Sequence, residues 1–223
     1  MAKASAAQSR PRGEITVLAG TNGAGKSSVA GAALTQGGTD FYNPDQATQR
    51  YVAAGLPVAE ANARAWDKGR RLLDRAIRER LDFAFETTLG GNTMTTLLLE
   101  AAKQGLRVRI FYVGLASLEL HIRRVRERVA RGGHDIPEHK IRARWKASRE
   151  NLIRLLPHAA ELAVWDNSAE ADPDAGKVPA PVLILLMQDR AIRDLCPLDQ
   201  VPTWAKPIVA AALVSDPSAA TGS

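Results

Sequence analysis

Hydrophobic residues recur in this chain in two alternating patterns. Short apolar runs predict strands over residues 14–19, 40–45, 83–88, 108–115, 162–167 and 182–187. Between them, apolar residues spaced along one face predict helices over about 57–81, 92–103, 117–131 and 138–156. Strands that alternate with helices favour a mostly parallel sheet covered on both faces. We therefore predict an α/β fold, a three-layer sandwich.

A glycine-rich stretch follows the first predicted strand. Its residues, Gly20, Thr21, Asn22, Gly23, Ala24, Gly25, Lys26 and Ser27, fit the pattern G-x-x-x-x-G-K-[ST], and a predicted helix begins at Ser28. In such a P-loop, backbone N–H groups and the helix start surround phosphates, Lys26 reaches the β- and γ-phosphates, and Ser27 binds Mg²⁺. The sequence therefore predicts a P-loop kinase-like domain in which residues 20–28 bind ATP and Mg²⁺.

Two carboxylates stand at the ends of predicted strands. Ligands of parallel sheets bind at the carboxyl ends of the strands, so we expect Asp45 and Glu86 to converge on the P-loop. Asp45 is a candidate base for a substrate hydroxyl; alternatively it caps the helix after Pro44. Glu86 is a candidate ligand of the acceptor or of a Mg²⁺-bound water; alternatively it pairs with an arginine. Thr87 and Thr88 beside it add hydroxyl groups, although β-propensity also explains them.

Residues 117–156 are strongly basic, with eleven Lys or Arg against five Asp or Glu. Two amphipathic helices joined by Gly132-Gly133 suit an arginine-rich lid that brings guanidinium groups onto the ATP phosphates. From their position on the predicted helices, we expect Arg128, Arg131 and Arg142 to serve there. Ordinary solvent-exposed arginines are the alternative for each.

The composition of the chain limits its possible partners and its cellular location. The chain has 223 residues, 45% of them hydrophobic, and a net charge of +6, which favours an anionic partner. The single cysteine, Cys196, excludes an internal disulfide. No apolar run is long enough to span a membrane and the first residues lack a secretory apolar core, so we predict a cytoplasmic protein without a membrane partner. We expect a loose basic tail over 1–13, one kinase domain over 14–200, and a partly disordered extension over 201–223.

The ordered segments AGTNGAGKSS, FYNPD, FETTLGG, RGGHDIPE and VWDNS resemble the zeta toxin family of P-loop kinases, specifically its small bacterial members, over about residues 15–167. This resemblance implies transfer of the γ-phosphoryl group of ATP to a hydroxyl of a nucleotide sugar such as UDP-N-acetylglucosamine. It also implies an antitoxin protein as a partner.

The resemblance further implies roles for individual residues. Lys26 and Ser27 would bind ATP and Mg²⁺, Asp45 would be the base, and arginines around Arg131 and Arg142 would bind the γ-phosphate. The acceptor would contact a set of polar and charged residues at or shortly after the ends of the second and third predicted strands. These are Asn43, Arg50, Glu86, Thr87 and Thr88.

Other functions fit parts of the same pattern. The P-loop frame also suits a phosphotransferase on an antibiotic, a nucleoside or a nucleic-acid end. An ATP-driven switch would carry an apolar strand ending in Asp-Glu and a signature such as LSGGQ, and the chain has only the fragment Leu89-Gly90-Gly91. The chain does not resemble a nucleic-acid binder, because its few aromatic residues are not interleaved with its arginines.

Overall fold

The centre of the molecule is a seven-stranded β-sheet. The computed structural model describes residues 13–26, 41–133, 135–170 and 180–217. The strands are β1 (Glu14–Ala19), β2 (Phe41–Tyr42), β3 (Phe83–Thr87), β4 (Arg107–Gly114), β5 (Glu161–Asp166), β6 (Val182–Gln188) and β7 (Ala191–Leu195). Across the sheet they follow the order β2-β3-β1-β4-β5-β6-β7. The pairs formed among strands β1 to β5 are all parallel, and β6 runs antiparallel to both of its neighbours, β5 and β7. The predicted mostly parallel sheet is therefore confirmed.

Helices cover the sheet. They are α1 (Pro44–Ala53), α2 (Val58–Glu79), α3 (Asn92–Lys103), α4 (Leu118–Ala130), α5 (Glu138–Leu155) and α6 (Lys206–Ser215), with short 3₁₀ turns at Leu156–His158 and Leu198–Gln200. The four helices predicted between the strands correspond to α2, α3, α4 and α5. The helix predicted from Ser28 lies outside the described residues.

Local sequence signals set several helix ends. Asn43 caps α1, because its Oδ1 accepts from the backbone N–H groups of Asp45 (2.8 Å) and Gln46 (3.2 Å), and Pro44 occupies the first helical position. Ser117 caps α4 by accepting from the Leu120 N–H at 3.1 Å. The N-terminal ends of α1 and α4 are therefore fixed by their own side chains.

The buried strand β1 divides the core. Ile15, Val17 and Ala19 belong to a large cluster with residues of α2, α3, α5 and α6. Leu18 points to the other face, where it packs with Ala24 of the P-loop and Leu115. Because successive side chains of a strand face opposite ways, β1 is buried on both sides. The P-loop follows this central strand directly.

The predicted lid forms a small cluster of its own. Ile122 and Val125 of α4 pack against Ile136 and Ile141 at the start of α5. Gly132, between the helices, has φ +86°, a conformation that favours glycine. The two basic helices are therefore held together by apolar side chains at the turn between them.

The described part of the C-terminal segment packs on the same core, and the boundary predicted at residue 200 stays a prediction. Trp204 is 3% exposed and packs on Gly114 at the end of β4, while its Nε1 donates to Asp166 at 3.3 Å. Ile208 and Ala212 of α6 are fully buried. The sequence pattern did not predict α6, because this helix is apolar on most of its faces. Within the described residues, none of the helices combines the length and the apolar character that crossing a membrane requires.

Candidate functional site

The P-loop is fixed by side chains that come from distant parts of the chain. The backbone carbonyl of Asn22 accepts from His121 Nδ1 at 2.9 Å, and its side-chain Oδ1 accepts from Arg144 at 2.8 Å. On the other side, Asn167 Nδ2 donates to the Ala24 carbonyl at 2.9 Å. Helix α4, helix α5 and the end of β5 thus each anchor one point of the loop.

These anchors explain two of the P-loop glycines. Gly23 has φ +84°, and a methyl group there would lie 2.6 Å from the His121 carbonyl oxygen. Gly25 has φ +79°, and a methyl group would overlap the Asn167 amide. Any larger residue would therefore strain the backbone and displace an anchor.

The P-loop lysine lies against a carboxylate of the neighbouring strand. Lys26 Nζ donates to the Gly20 carbonyl at 2.8 Å and lies 3.3 Å from Glu86 Oε1; the two side chains are 7% and 12% exposed. Asn43 Nδ2 donates to the other Glu86 oxygen at 3.0 Å. The parallel register, which pairs Leu18 with Glu86, brings these groups together. The ion pair considered for Glu86 is present, but its partner is Lys26 rather than an arginine.

Asp45 lies in the first turn of α1, and the cap position belongs to Asn43. Its side chain is 42% exposed, with Oδ2 3.6 Å from an Arg128 guanidinium nitrogen. Capping therefore does not account for this carboxylate.

One cleft is lined by six of the predicted site residues, one of which is Asn22 of the P-loop. It has a volume of about 910 Å³ and opens at the carboxyl ends of β2 and β3. Lys26, Asp45 and Glu86 line it together with Thr87 and Thr88. The structure thus brings together the P-loop lysine, both predicted carboxylates and the two threonines.

The loop after β3 is held in an uncommon conformation. Leu89 is 1% exposed with φ +50°, and its carbonyl accepts from Asn151 of α5 at 2.8 Å. Thr87 Oγ1 accepts from the Leu89 N–H at 3.1 Å, and Thr88 Oγ1 accepts from the Gly90 N–H at 3.3 Å. Both hydroxyl oxygens are thereby bonded to the loop backbone, and a left-handed non-glycine residue beside a cleft is typical of functional sites.

The lid arginine that enters the cleft is Arg144. Its aliphatic part covers Gly90, and its guanidinium donates to Asn22 Oδ1 and interacts with the charge of Asp45. Burial lowers the pKa of Arg144, and the Asp45 charge opposes this effect. Sequence spacing missed Arg144 because it lies near the apolar side of α5, three residues after buried Ile141, whereas the predictions favoured arginines on exposed stripes.

The three predicted lid arginines occupy different positions. Arg142 pairs with Glu138 at 2.7 Å and lines a separate depression between α4 and α5, so its role at the phosphates stays a prediction. Arg131 is an exposed residue at the end of α4 and is not among the residues that line the cleft. Arg128 does reach Asp45, as described above.

Three further predicted site residues lie outside the described residues or away from the cleft. Ser27 and Ser28 lie outside the described residues. Arg50 is exposed in the last turn of α1 and does not line the cleft.

The donor set is compatible with magnesium bound together with a nucleotide. Within the described ranges, no group of three or more His, Cys, Asp or Glu side chains could hold a metal ion alone. Mg²⁺ in phosphoryl-transfer sites takes one or two protein groups and completes its shell with phosphates and water. Glu86 or Asp45 satisfies that smaller requirement.

Sequence reasoning also missed His121. It lies 1% exposed on the inner face of α4, and burial lowers its pKa to about 4. The imidazole is therefore neutral near neutral pH, and because a carbonyl can only accept, its Nδ1 carries the hydrogen that bonds to Asn22. A histidine within the apolar stripe of a helix was the available signal.

Comparison with known proteins agrees with this geometry. A family model described as an AAA domain matches residues 15–154, from β1 through most of α5. The chain belongs to the AAA domain family. The matched region includes the P-loop, both cleft carboxylates and the lid, and it supports the prediction of an ATP-binding P-loop phosphotransferase. The narrower resemblance to zeta toxins stays a prediction.

Relatives by sequence and by structure cover different shares of the chain. An uncharacterized protein of Haemophilus influenzae (strain ATCC 51907 / DSM 11121 / KW20 / Rd) is 28% identical over 133 residues, which are 56% of this chain and 88% of that protein. A chain in the AvrRxo1-ORF1:-ORF2 structure with ATP has a TM-score of 0.63 at 14% identity; the match covers 90% of this chain and 64% of that one. The native AvrRxo1-ORF1:-ORF2 complex gives 0.62 at 15% identity, with 94% and 73% covered.

The structural likeness concerns the fold. This AAA domain family member spans less than two thirds of the AvrRxo1 chain determined with ATP. The shared three-layer arrangement confirms the predicted fold class.

Proposed function

We propose that this protein is an ATP-dependent phosphotransferase that moves the γ-phosphoryl group of ATP to a hydroxyl of a small-molecule acceptor. The observation that carries the proposal is the meeting of Lys26, Asp45 and Glu86 in one cleft of about 910 Å³. A P-loop that only switched a partner would have no need of an open, acceptor-sized cavity beside its lysine. The volume lies within the range of small-molecule sites.

The ATP side of the site is built from the P-loop. Lys26 now donates to the Gly20 carbonyl and pairs with Glu86, and it would exchange these contacts for the β- and γ-phosphates. Mg²⁺ bound with the phosphates would offset their charge, with Ser27 and one cleft carboxylate as its protein ligands. Glu86 therefore has two states, one paired with Lys26 and one turned toward the metal or the acceptor.

The acceptor side is formed by α1 and the loop after β3. Asp45 does not cap α1, since Asn43 does, and it accepts the proton of the attacking hydroxyl. Thr87 and Thr88 present hydroxyl groups to the acceptor. Asn43 fixes the Glu86 carboxylate by its 3.0 Å hydrogen bond and thereby acts on the acceptor site indirectly.

We assign stabilisation of the transferring phosphoryl group to Arg144 and Arg128. Arg144 lines the cleft and Arg128 lies 3.6 Å from the cleft residue Asp45, whereas Arg142 is paired with Glu138 outside the cleft. An arginine beside the P-loop carries a fixed charge and planar donors that match phosphate oxygens. The acceptor we propose is a nucleotide sugar such as UDP-N-acetylglucosamine, following the resemblance to zeta toxins.

Transfer of labelled phosphate from ATP tests the proposal. The purified protein, ATP and Mg²⁺ are incubated with a panel of nucleotide sugars, nucleosides and a 5′-hydroxyl oligonucleotide. Label on a nucleotide sugar supports the proposed acceptor, and label on another hydroxyl compound retains the reaction and replaces the acceptor. Label only in inorganic phosphate would indicate an ATP-driven switch.

Substitutions separate the roles. Lys26→Ala should abolish transfer, and Asp45→Asn should keep ATP affinity while lowering transfer by on the order of 10²-fold. Arg144→Ala should lower kcat more than ATP affinity, and Arg142→Ala is the matched control on the same helix. Equal losses in the two arginine variants would remove the assignment of Arg144.

A protein partner of antitoxin type is a further part of this proposal. It rests on the zeta toxin resemblance and on the fold shared with AvrRxo1-ORF1:-ORF2, which is itself a complex. Growth arrest on expression of the wild type, absent with Lys26→Ala, is the expected first result. Arrest by both forms would contradict a toxin that acts by phosphoryl transfer.

A further inference from the structure

One wall of the cleft is formed by the N-terminal half of helix α2. Val58, Asn62, Trp66 and Gly69 fall along one face at near-helical spacing and line the cleft. Further along the helix the same face is buried in the core, where it includes Leu73 and Ile77. Val58 and Trp66 are each 47% exposed, so α2 presents apolar surface to the cavity.

Trp66 is fixed close to the proposed chemistry. The Tyr42 hydroxyl donates to the carbonyl of Ala65, the preceding residue, at 2.5 Å. One turn further, Gly69 packs against the Tyr42 ring, where a methyl group would lie 2.7 Å from Cε1. Burial raises the pKa of Tyr42 to about 12, so the phenol stays a hydrogen-bond donor. Tyr42 pairs with Phe85 in the sheet, which places this turn of α2 beside Glu86.

The same wall is tied to the proposed base. Thr48 Oγ1 donates to Asn62 Oδ1 at 3.2 Å, which joins α2 to α1 one turn after Asp45. Both residues line the cleft. The helix that carries the indole is therefore joined by a hydrogen bond to the helix that carries the Asp45 carboxylate.

We propose that Trp66 is a stacking platform for a planar ring carried by the acceptor. A single exposed apolar residue on a convex surface needs no explanation. An indole in a concave cavity that also contains Lys26, Asp45 and Glu86 has a chemical one, because its π-face stacks on planar rings. The acceptor is then a compound with a nucleobase-like ring at one end and the reacting hydroxyl at the other. This inference rests on the proposed function and assigns one side chain, Trp66, to the ring of its proposed nucleotide-sugar acceptor.

Binding of matched probes tests the platform without turnover. The ATP site is first filled with a non-hydrolysable ATP analogue and Mg²⁺. UMP and AMP are then compared with ribose 5-phosphate, which lacks the base, by tryptophan fluorescence and calorimetry. Binding of UMP or AMP with quenching, and much weaker binding of ribose 5-phosphate, is the expected result. Equal binding of the three compounds overturns the proposal.

Variants assign the effect to one side chain. Trp66→Ala should weaken nucleotide binding by about 5- to 150-fold and leave ribose 5-phosphate unaffected, while Trp66→Phe should retain most of the affinity. Trp145→Phe is the matched control, because Trp145 is covered by the Arg149 guanidinium at 3.7 Å and does not line the cleft. Equal loss with Trp66→Ala and Trp66→Phe would show a requirement for the indole's shape or N–H rather than stacking, and would overturn the proposal.

Two further arms separate the possible failures. A 5′-hydroxyl oligonucleotide that quenches Trp66 when UMP and AMP do not would replace the small-molecule acceptor by a nucleic-acid end, against the proposal. If the nucleotides bind through Trp66 but no acceptor receives label from ATP, the proposed function fails and the ring site stands. If label is transferred equally well by wild type and Trp66→Ala, the ring site fails and the phosphotransferase stands.

Discussion

The buried imidazole of His121 should give the protein a specific sensitivity to acid. Its pKa falls from 6.5 to about 4 on folding, chiefly through burial. Between these values the unfolded chain binds a proton that the folded chain does not, so stability is lost as pH falls from about 6.5 to about 4. Each unit of pKa difference corresponds to about 1.4 kcal/mol. The full loss is therefore about 3 kcal/mol, a large fraction of a typical stability.

Two substitutions distinguish the titration from the hydrogen bond. His121→Phe removes both and leaves the buried Asn22 carbonyl without its donor, which should cost about 1–3 kcal/mol near neutral pH. His121→Asn removes the titration and keeps an N–H close to the position of Nδ1. We expect it to be the more stable variant, with nucleotide affinity closer to the wild type.

Urea unfolding from about pH 7 to about pH 4.5 measures this effect. Carboxylates that titrate in the same range are shared by all three proteins, so the difference between wild type and variant isolates His121. Both variants should show a flatter loss of stability with acid than the wild type. Parallel pH profiles in the three proteins would refute the assignment of a neutral, buried His121.

Three other substitutions have defined consequences. Gly90→Ala places a methyl group into the Arg144 side chain, and should lower kcat by about tenfold or more with a smaller change in ATP affinity, measured by steady-state kinetics and calorimetry. Gly114→Ala overlaps the Trp204 ring and should destabilise the protein by about 1–3 kcal/mol in urea, since a packed core resists extra volume. Asn43→Ala removes the cap of α1 and should cost about 1 kcal/mol, with thermal unfolding as the measurement; an unchanged melting temperature would contradict the capping role.

Sequence patterns predicted the parts of this protein that depend on local information. The P-loop pattern needs only eight consecutive residues, and its phosphate chemistry follows from their types. Helix periodicity gave α3 its observed ends, Asn92 and Lys103. The rule that ligands bind at the carboxyl ends of parallel strands was enough to group Asp45 and Glu86 with the P-loop.

Long-range pairing decided the parts that sequence patterns could not predict. Arg144 and Arg142 are two residues apart on one helix, and only the packing of α5 against the P-loop decides that Arg144 enters the cleft. An arginine was the alternative partner considered for Glu86, whereas the register of β1 and β3 pairs it with Lys26. Trp204 is likewise a core residue only because Gly114 leaves space for its ring.

The anchors of the P-loop have a consequence for how the site comes into being. The three hydrogen bonds that hold residues 22 and 24 connect positions separated by 99, 122 and 143 residues in sequence. A nascent chain that has not reached Asn167 contains every residue of the phosphate-binding stretch and lacks one of its supports. Contacts of such long range form late and slowly. Nucleotide binding should therefore report that β5 has joined the sheet, and ATP added during refolding should select molecules that have completed that step.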